Sequence, residues 1–376
     1  MVGQHGVVAT DATARVTPLE LFFDLVFVYA LTQVTALLAT DVSAIGFARG
    51  LVVLALVWWC WVGYSWLGNV AQADEGLLRI AFFAVMVAMF VMAITIRESF
   101  TDLSGGLPGP LVFVACYLVA RVVHLGLFWV AAAEDAGLRR QLSRFAVTVA
   151  GSVAMLITGA LLGPPWQLPL WTGALLADLG GTAAIGASGW RLRSPGHFSE
   201  RHGLIIIIAL GESIVAIGVG VAELPISWPV VVGSTIGIAL AAALWWLYFD
   251  VIALVAEHAL ERADSAAMPR LGRDAFSYLH LPMVAGIVVA ALGLKKTLEY
   301  VGGSDGHDWT DALTGLAGWH CPSGSGCSSL PTSRSGCGSA RCCRSRAWSR
   351  WSHSASSASW ARRSPCFSRL PSSRWS

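Results

Sequence analysis

Residues 203–222 read GLIIIIALGESIVAIGVGVA, a twenty-residue apolar run whose one charged residue is Glu212. An α-helix needs about 20 consecutive apolar residues to cross the hydrocarbon core of a bilayer. A chain in lipid must also satisfy its own backbone hydrogen bonds, so such a run forms a helix rather than an isolated strand. The segment therefore predicts a membrane-spanning helix that carries a carboxyl group near its middle.

Eight other segments have the same character, and short polar turns separate them. The nine predicted spans are 19–39, 47–67, 77–96, 110–132, 145–163, 168–189, 203–222, 229–254 and 280–300. The composition agrees, because hydrophobic residues make up 55% of the chain and charged residues 13%, about half the usual charged share of a soluble protein. We expect an all-α, polytopic transmembrane bundle.

By composition the chain has three parts: a short polar segment at 1–18, the bundle at 19–300, and a polar loop and tail at 301–376. From Cys321 to Ser376 there is no Asp, Glu or Lys, and six of the eight Cys lie there. A disulfide or metal module, a basic disordered tail and a frameshifted gene end are the alternatives. Zinc-type Cys spacing and an apolar core are missing from the tail. We favour the frameshift, because a GC-rich gene encodes Ser, Arg, Cys, Trp and Pro when read out of frame.

Basic residues in the loops predict the orientation of the bundle. With the N-terminus in the cytoplasm, eleven basic residues face inwards and four outwards, which satisfies the positive-inside rule. The inward residues are Arg15, Arg79, Arg139, Arg140, Arg144, Arg191, Arg193, Arg201, Arg262, Arg270 and Arg273. The outward residues are Arg49, Arg97, Lys295 and Lys296. We expect a cytoplasmic N-terminus in a multi-pass protein of the inner (plasma) membrane, with lipid as a partner.

The first predicted helix carries two carboxyl groups on one face. Glu20 and Asp24 are four residues apart, so their side chains are neighbours on the helix surface. Two such groups can bind a cation or share a proton. Alternatively, Glu20 only favours the helix N-terminus electrostatically, an explanation that does not extend to the deeper Asp24. Gln33, further along, is a candidate to line the same interior.

In the seventh predicted helix, Glu212 lies at mid-membrane with Ser213 beside it. A bare charge there is costly, so we expect Glu212 to be protonated, paired or wetted by a cavity. Both a functional role and a structural hydrogen bond between helices fit this position. Gly211 is predicted to let another helix approach closely.

The fourth predicted helix supplies a counter-charge. Arg121 and His124 are three residues apart and share a face. Because an arginine stays ionised, we expect Arg121 to face an acid of the first or seventh helix, with Asp24 and Glu212 as candidates. Two further acids are expected inside the bundle, Asp178 and Asp250. Asp250 lies near the predicted inner interface, so contact with water is the alternative for it.

The sequence has no motif of a soluble enzyme. It lacks a Walker loop, a dinucleotide fingerprint, a Gly-x-Ser-x-Gly elbow and a His-Glu-x-x-His helix. We expect no enzymatic activity, no catalytic residue, no cofactor and no metal site. His197, His202 and His258 are interpreted as interfacial side chains at inner helix ends. The net charge of +2 gives no reason to expect a nucleic-acid partner.

Three stretches resemble one known family. They are RVTPLELFFDLVF at residues 15–27, HFSERHG at 197–203 continuing to ALGESI at 209–214, and LWWLYFD at 244–250. In these stretches the chain is similar to the bacterial low temperature requirement A family. The motif positions singled out are Glu200, Arg201, His202 and Gly211. The resemblance implies a polytopic inner-membrane protein linked to growth in the cold, and it implies no mechanism.

The buried charges point to a proton- or ion-coupled transporter of an undefined small solute or ion. Asp24 precedes Trp58 by 34 residues, and Glu212 precedes Trp245 by 33. This spacing fits a parallel duplication of transporter type, and chance placement of interfacial Trp explains it equally well.

Two other functions fit the sequence. The run Phe22-Phe23-Asp24 is similar to the first-helix signature of endolysosomal-type potassium channels, so a cation channel is one alternative. A membrane protein that adapts the bilayer to cold without transport is the other. The sequence defines neither the solute nor the oligomeric state.

Reporter fusions test the predicted orientation. Alkaline phosphatase needs disulfides that form outside the cytoplasm, so a fusion after Asp41 should be active and a fusion after Asp74 inactive. Green fluorescent protein at the same positions should give the opposite pattern. An active phosphatase after Asp74 would reverse the orientation.

Overall fold

The computed structural model of the chain describes residues 10–302, apart from residues 12, 13 and 188. Within that part, nine helical stretches are long and apolar enough to cross a membrane, and no β-sheet forms. The predicted all-α bundle of nine spans is therefore confirmed. Residues 1–9 and the tail after residue 302, to which the frameshift interpretation applies, lie outside the described residues.

The last two spans are each interrupted by a π-helical turn, so eleven α-helices make up the nine described spans. The helices are α1 (Pro18–Thr40), α2 (Ala44–Val70), α3 (Gly76–Ile94), α4 (Gly109–Ala131), α5 (Ala136–Leu162), α6 (Gln167–Ile185), α7 (Pro195–Val221), α8 (Trp228–Leu247), α9 (Ala253–Arg262), α10 (Met268–Leu271) and α11 (His280–Gly302). The π-helical turns are Tyr248–Ile252 and Gly272–Tyr278. The eighth span is thus α8 with α9, and the ninth is α10 with α11.

Three spans begin two or more turns before the predicted apolar segments. They start at Ala136, Pro195 and Met268, because polar and charged first turns are helical although they are not apolar. At α7 the start is explicit, since the Ser194 hydroxyl accepts the backbone N–H of His197, which is an N-cap. The stretch HFSERHG consequently lies on a helix and enters the bundle.

Asp135 caps α5 and ties it to the loop before α7. Its carboxylate accepts the backbone N–H of Leu138 at 2.9 Å, and Nε of Arg191 lies 2.9 Å from Oδ2. The Leu138 hydrogen bond, together with the charge of Arg191, lowers the pKa of Asp135 below its ordinary value. The cap is one reason why α5 starts earlier than its apolar segment.

Helix α2 is the central helix of the bundle. Every residue from 52 to 70 is buried, including Trp58 and Trp59, which are 2% and 4% exposed. In contrast, Trp245 and Trp246 are 46% and 67% exposed. The interfacial interpretation of the Trp pair on α2 is therefore wrong. The two Trp pairs occupy different environments, which weighs against the internal duplication.

Polar groups on α2 find their partners on neighbouring helices. The indole N–H groups of Trp58 and Trp66 donate to the carbonyl and the hydroxyl of Ser277, each at 2.9 Å. The Tyr64 hydroxyl donates to the carbonyl of Ala120 at 2.7 Å. Because buried polar groups need partners, these bonds hold α2 against α4 and against the ninth span.

Helices α1, α7 and α11 pack against one another. They belong to the first, seventh and ninth spans, so they cross the membrane in the same direction. Residues near the start of one helix therefore meet residues near the start of the others. This parallel packing brings the predicted polar residues of α1 and α7 to matching depths.

Two glycines differ in the space around them. A Cβ atom at Gly68 on α2 would overlap the carboxylate of Glu20. A Cβ atom at Gly211 on α7 would meet no atom within 4 Å. The predicted close helix approach at Gly211 is therefore wrong, and it is Gly68 that admits a close neighbour.

We expect Gly68→Ala to destabilise the bundle by about 1–3 kcal/mol, because it overpacks the contact with Glu20. The matched control Gly211→Ala should leave stability unchanged or raise it by up to about 1 kcal/mol, through helix propensity alone. Thermal unfolding of the two purified variants in detergent measures both. Equal stability of the two variants would contradict the packing at Gly68.

Candidate functional site

A buried charged cluster joins the first two turns of α1 and α7. The guanidinium of Arg201 lies 2.9 Å from Oε1 of Glu20 and 2.8 Å from Oδ1 of Asp24. All three side chains are at most 1% exposed. A buried cation is stable only with such partners, so the three residues form one unit.

The position of Arg201 corrects the sequence analysis, which assigns it to the inward loop charges. Because α7 starts at Pro195, Arg201 lies in the second turn of the helix, inside the bundle. Without Arg201, the predicted inward side still carries more basic residues than the outward side.

Glu20 is held from several sides. The hydroxyl of Thr17 accepts the backbone N–H of Glu20 at 3.3 Å, and the Glu20 carboxylate accepts the N–H of Thr17 at 3.0 Å, which is a capping box. The N–H of Arg193 donates to Oδ1 of Asn69, so the Asn69 amide directs its NH₂ group at Nδ1 of His197, 3.5 Å away. The proton of His197 then lies on Nε2, which donates to Glu20 at 3.0 Å.

Asp24 has one satisfied and one open oxygen. The indole N–H of Trp61 donates to Oδ1 at 2.8 Å, and the guanidinium carbon of Arg201 lies 5.6 Å from the centre of the Trp61 ring. Oδ2 of Asp24 and Nε of Arg201 have no hydrogen-bond partner among the described residues. Since buried polar groups are nearly always paired, Oδ2 of Asp24 is available to a hydrogen-bond donor of a solute, and the Nε–H of Arg201 is available to an acceptor.

A cavity of about 650 Å³ lies beside the cluster, where α7 faces α9. Its apolar wall includes Leu204, Ile207 and Phe249. Its acidic residues are Glu200, Glu257 and Glu261. Glu200 also accepts the backbone N–H of Val16 at 3.3 Å, and Arg15 lies 4.0 Å from its other oxygen. The cavity thus combines carboxylates with an apolar wall next to the buried cluster.

The interfacial interpretation is wrong for two of the three histidines. His197 and His202 are 2% and 0% exposed, whereas His258 is exposed. Nδ1 of His202 donates to the carbonyl of Phe198 at 2.8 Å, and its ring packs against Trp61 and His280, with centroid distances of 5.0 and 5.2 Å. His202 therefore belongs to the core where α2, α7 and α11 meet.

A second buried ion pair joins α4 to α6. Nη2 of Arg121 lies 3.0 Å from Oδ2 of Asp178, and the side chains are 2% and 1% exposed. The Tyr117 hydroxyl donates to the same oxygen at 3.3 Å. The predicted interior positions of Arg121 and Asp178 are confirmed. The predicted partner helix is wrong, because the acid comes from α6 rather than from α1 or α7.

His124 shares a small cavity of about 40 Å³ with Arg121, which confirms their predicted common face. Trp66 and Trp190 also line this cavity, and Gly63 leaves room for the imidazole. Neither ring nitrogen of His124 has a hydrogen-bond partner among the described side chains. The volume suits about three water molecules. The cavity is far smaller than the one beside Glu200.

Glu212 occupies the other end of the α1–α7 interface. Its side chain is 1% exposed and is hydrogen-bonded to the hydroxyl of Thr32 on α1. Among the described residues it forms no ion pair. Pairing with a charged residue, one of the three outcomes predicted for Glu212, is therefore not observed in the described part of the chain.

The remaining predicted residues lie apart from these clusters. Gln33 is half-buried on α1, and Ser213 is buried beside Glu212. Asp250 is exposed, so of the two positions predicted for it the buried one is wrong; it lies in the π-helical turn Tyr248–Ile252, on the surface of the eighth span. No three His, Cys, Asp or Glu side chains in the described part of the chain converge as metal ligands would.

Sequence reasoning missed three residues of the α1–α7 site, namely Trp61, Asn69 and Thr32, and it interpreted His197 as interfacial. Asn69 offered a signal, because a carboxamide in the last turn of an apolar helix needs a partner. Trp and Thr are common on membrane helices, and only the packing of α1, α2 and α7 gives Trp61 and Thr32 a role.

A double-mutant cycle tests whether Arg121 and Asp178 form a structural pair. Arg121→Met or Asp178→Leu alone should destabilise the protein by about 3–5 kcal/mol, because each leaves a buried charge unpaired. The double variant should recover most of this loss, since an apolar pair of similar volume replaces the ion pair. Thermal unfolding in detergent measures all three, and a double variant no more stable than the single variants would contradict the pairing.

Comparison with known proteins identifies the family. A family profile described as "Bacterial low temperature requirement A protein (LtrA)" matches residues 15–321. An uncharacterized protein of Rhizobium meliloti (strain 1021) is 30% identical over 306 residues, which cover 77% of this chain and 71% of that protein. No solved structure matches. The profile includes both halves of the α1–α7 cluster, and the chain belongs to the bacterial low temperature requirement A family.

Proposed function

We propose that this protein is an ion-coupled transporter whose pathway follows the interface of α1 and α7. The observation that carries the proposal is the buried cluster of Glu20, Asp24 and Arg201, which includes two polar atoms without partners. Ionisable groups inside a membrane are costly, and they commonly mark ion or substrate pathways.

The geometry of the interface favours a carrier over an open channel. Asp24 meets Arg201 at one depth and Thr32 meets Glu212 at another, and Asp24 and Thr32 are separated by about 12 Å along the helix. Buried apolar side chains fill the intervening turns: Phe27 and Leu31 of α1, and Ile205 and Ala209 of α7. Passage between the two depths then requires a change of packing, as in alternating access.

The cavity between α7 and α9 is the proposed entrance for the solute. Carboxylates on its rim attract cations, and its apolar wall accommodates an apolar body. We therefore propose a small organic cation as the solute class. With the N-terminus in the cytoplasm of a plasma-membrane protein, this cavity opens to the cytoplasmic side.

Neutralising Asp24 or Glu212 should abolish function without loss of the protein. Asp24→Asn and Glu212→Gln should fail to restore cold growth to a strain that lacks the gene, and both should reach the membrane at normal levels. Asp250→Asn is the matched control, because Asp250 is exposed and outside the clusters; it should complement fully.

Proteoliposomes offered a metabolite mixture and analysed by mass spectrometry identify the solute. Uptake by the wild-type protein and the Asp250→Asn variant, but not by the Asp24→Asn or Glu212→Gln variants, supports the carrier. Unitary currents in a planar bilayer would instead support a channel. Full complementation by both Asp24→Asn and Glu212→Gln, with no flux of any solute, would overturn the proposal in favour of a non-transporting role.

A further inference from the structure

The carboxyl groups of α1 and α7 lie in two kinds of environment. Glu20 and Asp24 contact the guanidinium of Arg201 at 2.9 and 2.8 Å, so their negative charges are compensated. Glu212 is also buried, but the side chains hydrogen-bonded to it are the neutral hydroxyls of Thr32 and Thr35. A bare carboxylate at mid-membrane without a cation in contact costs several kcal/mol.

Charged groups near Glu212 are few. On α11, Lys295 acts on it electrostatically, but Lys295 lies 3.9 Å from Glu299, to which Lys296 also binds at 3.0 Å. The eighth-span helix α8 carries no titratable residue. On α1 the polar groups at this depth are the hydroxyls of Thr32 and Thr35 and the carboxamide of Gln33, all of them neutral, and Asp24 lies two turns below. No cation in the described structure therefore contacts Glu212.

The hydrogen count at Thr32 allows a protonated Glu212. The Thr32 hydroxyl lies 3.1 Å from the carbonyl of Val28, one turn below it on α1, and it also contacts Oε2 of Glu212. A hydroxyl has one proton to donate. If that proton goes to Val28, a protonated Glu212 donates to the Thr32 oxygen, and both contacts are then hydrogen bonds.

We infer that Glu212 is a neutral carboxylic acid in this state of the protein and that it is the proton-carrying site of the transport cycle. The inference rests on the proposed transport function for its role, but not for the protonation itself. The coupling ion is then the proton. The carboxyl carries it in this packing of α1 and α7 and releases it when the interface rearranges and exposes Glu212 to water.

The balance of this step is simple. One O–H bond of Glu212 breaks, the proton passes to water on the side to which the carboxyl is exposed, and the carboxylate remains until it is protonated again. No electron transfer and no co-reactant are needed. Glu20 and Asp24 cannot serve in the same way while Arg201 stabilises their charges.

Infrared difference spectroscopy of the full-length protein in lipid vesicles tests the protonation directly. A protonated buried carboxyl gives a C=O stretch that ionised carboxylates lack and that shifts in D₂O. We expect this band at neutral pH in the wild-type protein and in Asp250→Asn. It should be lost in Glu212→Gln, whose amide is nearly isosteric with the acid.

A second variant keeps the test valid if Glu212→Gln misfolds. Thr32→Val removes the hydroxyl that accepts the Glu212 proton, so the band should remain but move to higher frequency. Absence of the band in the wild-type protein, its persistence in Glu212→Gln, or an unshifted band in Thr32→Val would each overturn the inference.

The spectroscopic result is independent of transport. A band that behaves as expected, together with proteoliposomes that move no solute, would refute the transport proposal and leave the proton site standing. Solute uptake together with a missing band would refute the proton site and leave the transporter standing.

Discussion

The contact of one buried guanidinium with two carboxylates holds α1 against α7. Arg201 on α7 binds Glu20 and Asp24 on α1. With one acid neutralised the other still contacts the guanidinium, whereas neutralising both would leave an uncompensated cation in an apolar interior, which is far more costly than losing an exposed pair. The capping box at Thr17 and the carboxamide of Asn69 fix the remaining donors around Glu20.

Polar groups in the bundle are distributed by depth and by charge state. The end of the α1–α7 interface where both helices begin holds charged groups in contact, and the far end holds Glu212 against a hydroxyl. Arg121 and Asp178 form a separate pair between α4 and α6, and their neighbour His124 faces a small cavity. In the cluster of Glu20, Asp24 and Arg201 the charges compensate one another by contact, whereas the charge of Glu212 depends on a single proton. This difference makes Glu212 the group able to change its charge alone.

Hydropathy predicts the nine spans because lipid imposes one rule on every spanning helix. It does not predict where α7 begins, since the polar turn at 195–202 is helical because of the Ser194 cap and the contacts that it makes inside the bundle. The partner of Arg121 could not be predicted either. A buried arginine indicates that an acid lies nearby, but the sequence does not show which of several helices supplies it. The burial of Asp178 and Glu212 followed from their apolar surroundings. For Asp250 the sequence left burial and exposure open, because an interior and a surface position near a helix end have the same local sequence.

The two longest stretches that resemble the family meet in space. The run at residues 15–27 supplies Glu20 and Asp24, and the run beginning at residue 197 supplies His197 and Arg201. Each run alone would place unpaired charges in the membrane, so neither can be understood without the other. Together they form one electrostatic unit that requires α1 and α7 to pack in parallel and in register. That register also sets Thr32 opposite Glu212, so the position of the neutral carboxyl at mid-membrane is a consequence of the ionised cluster below it.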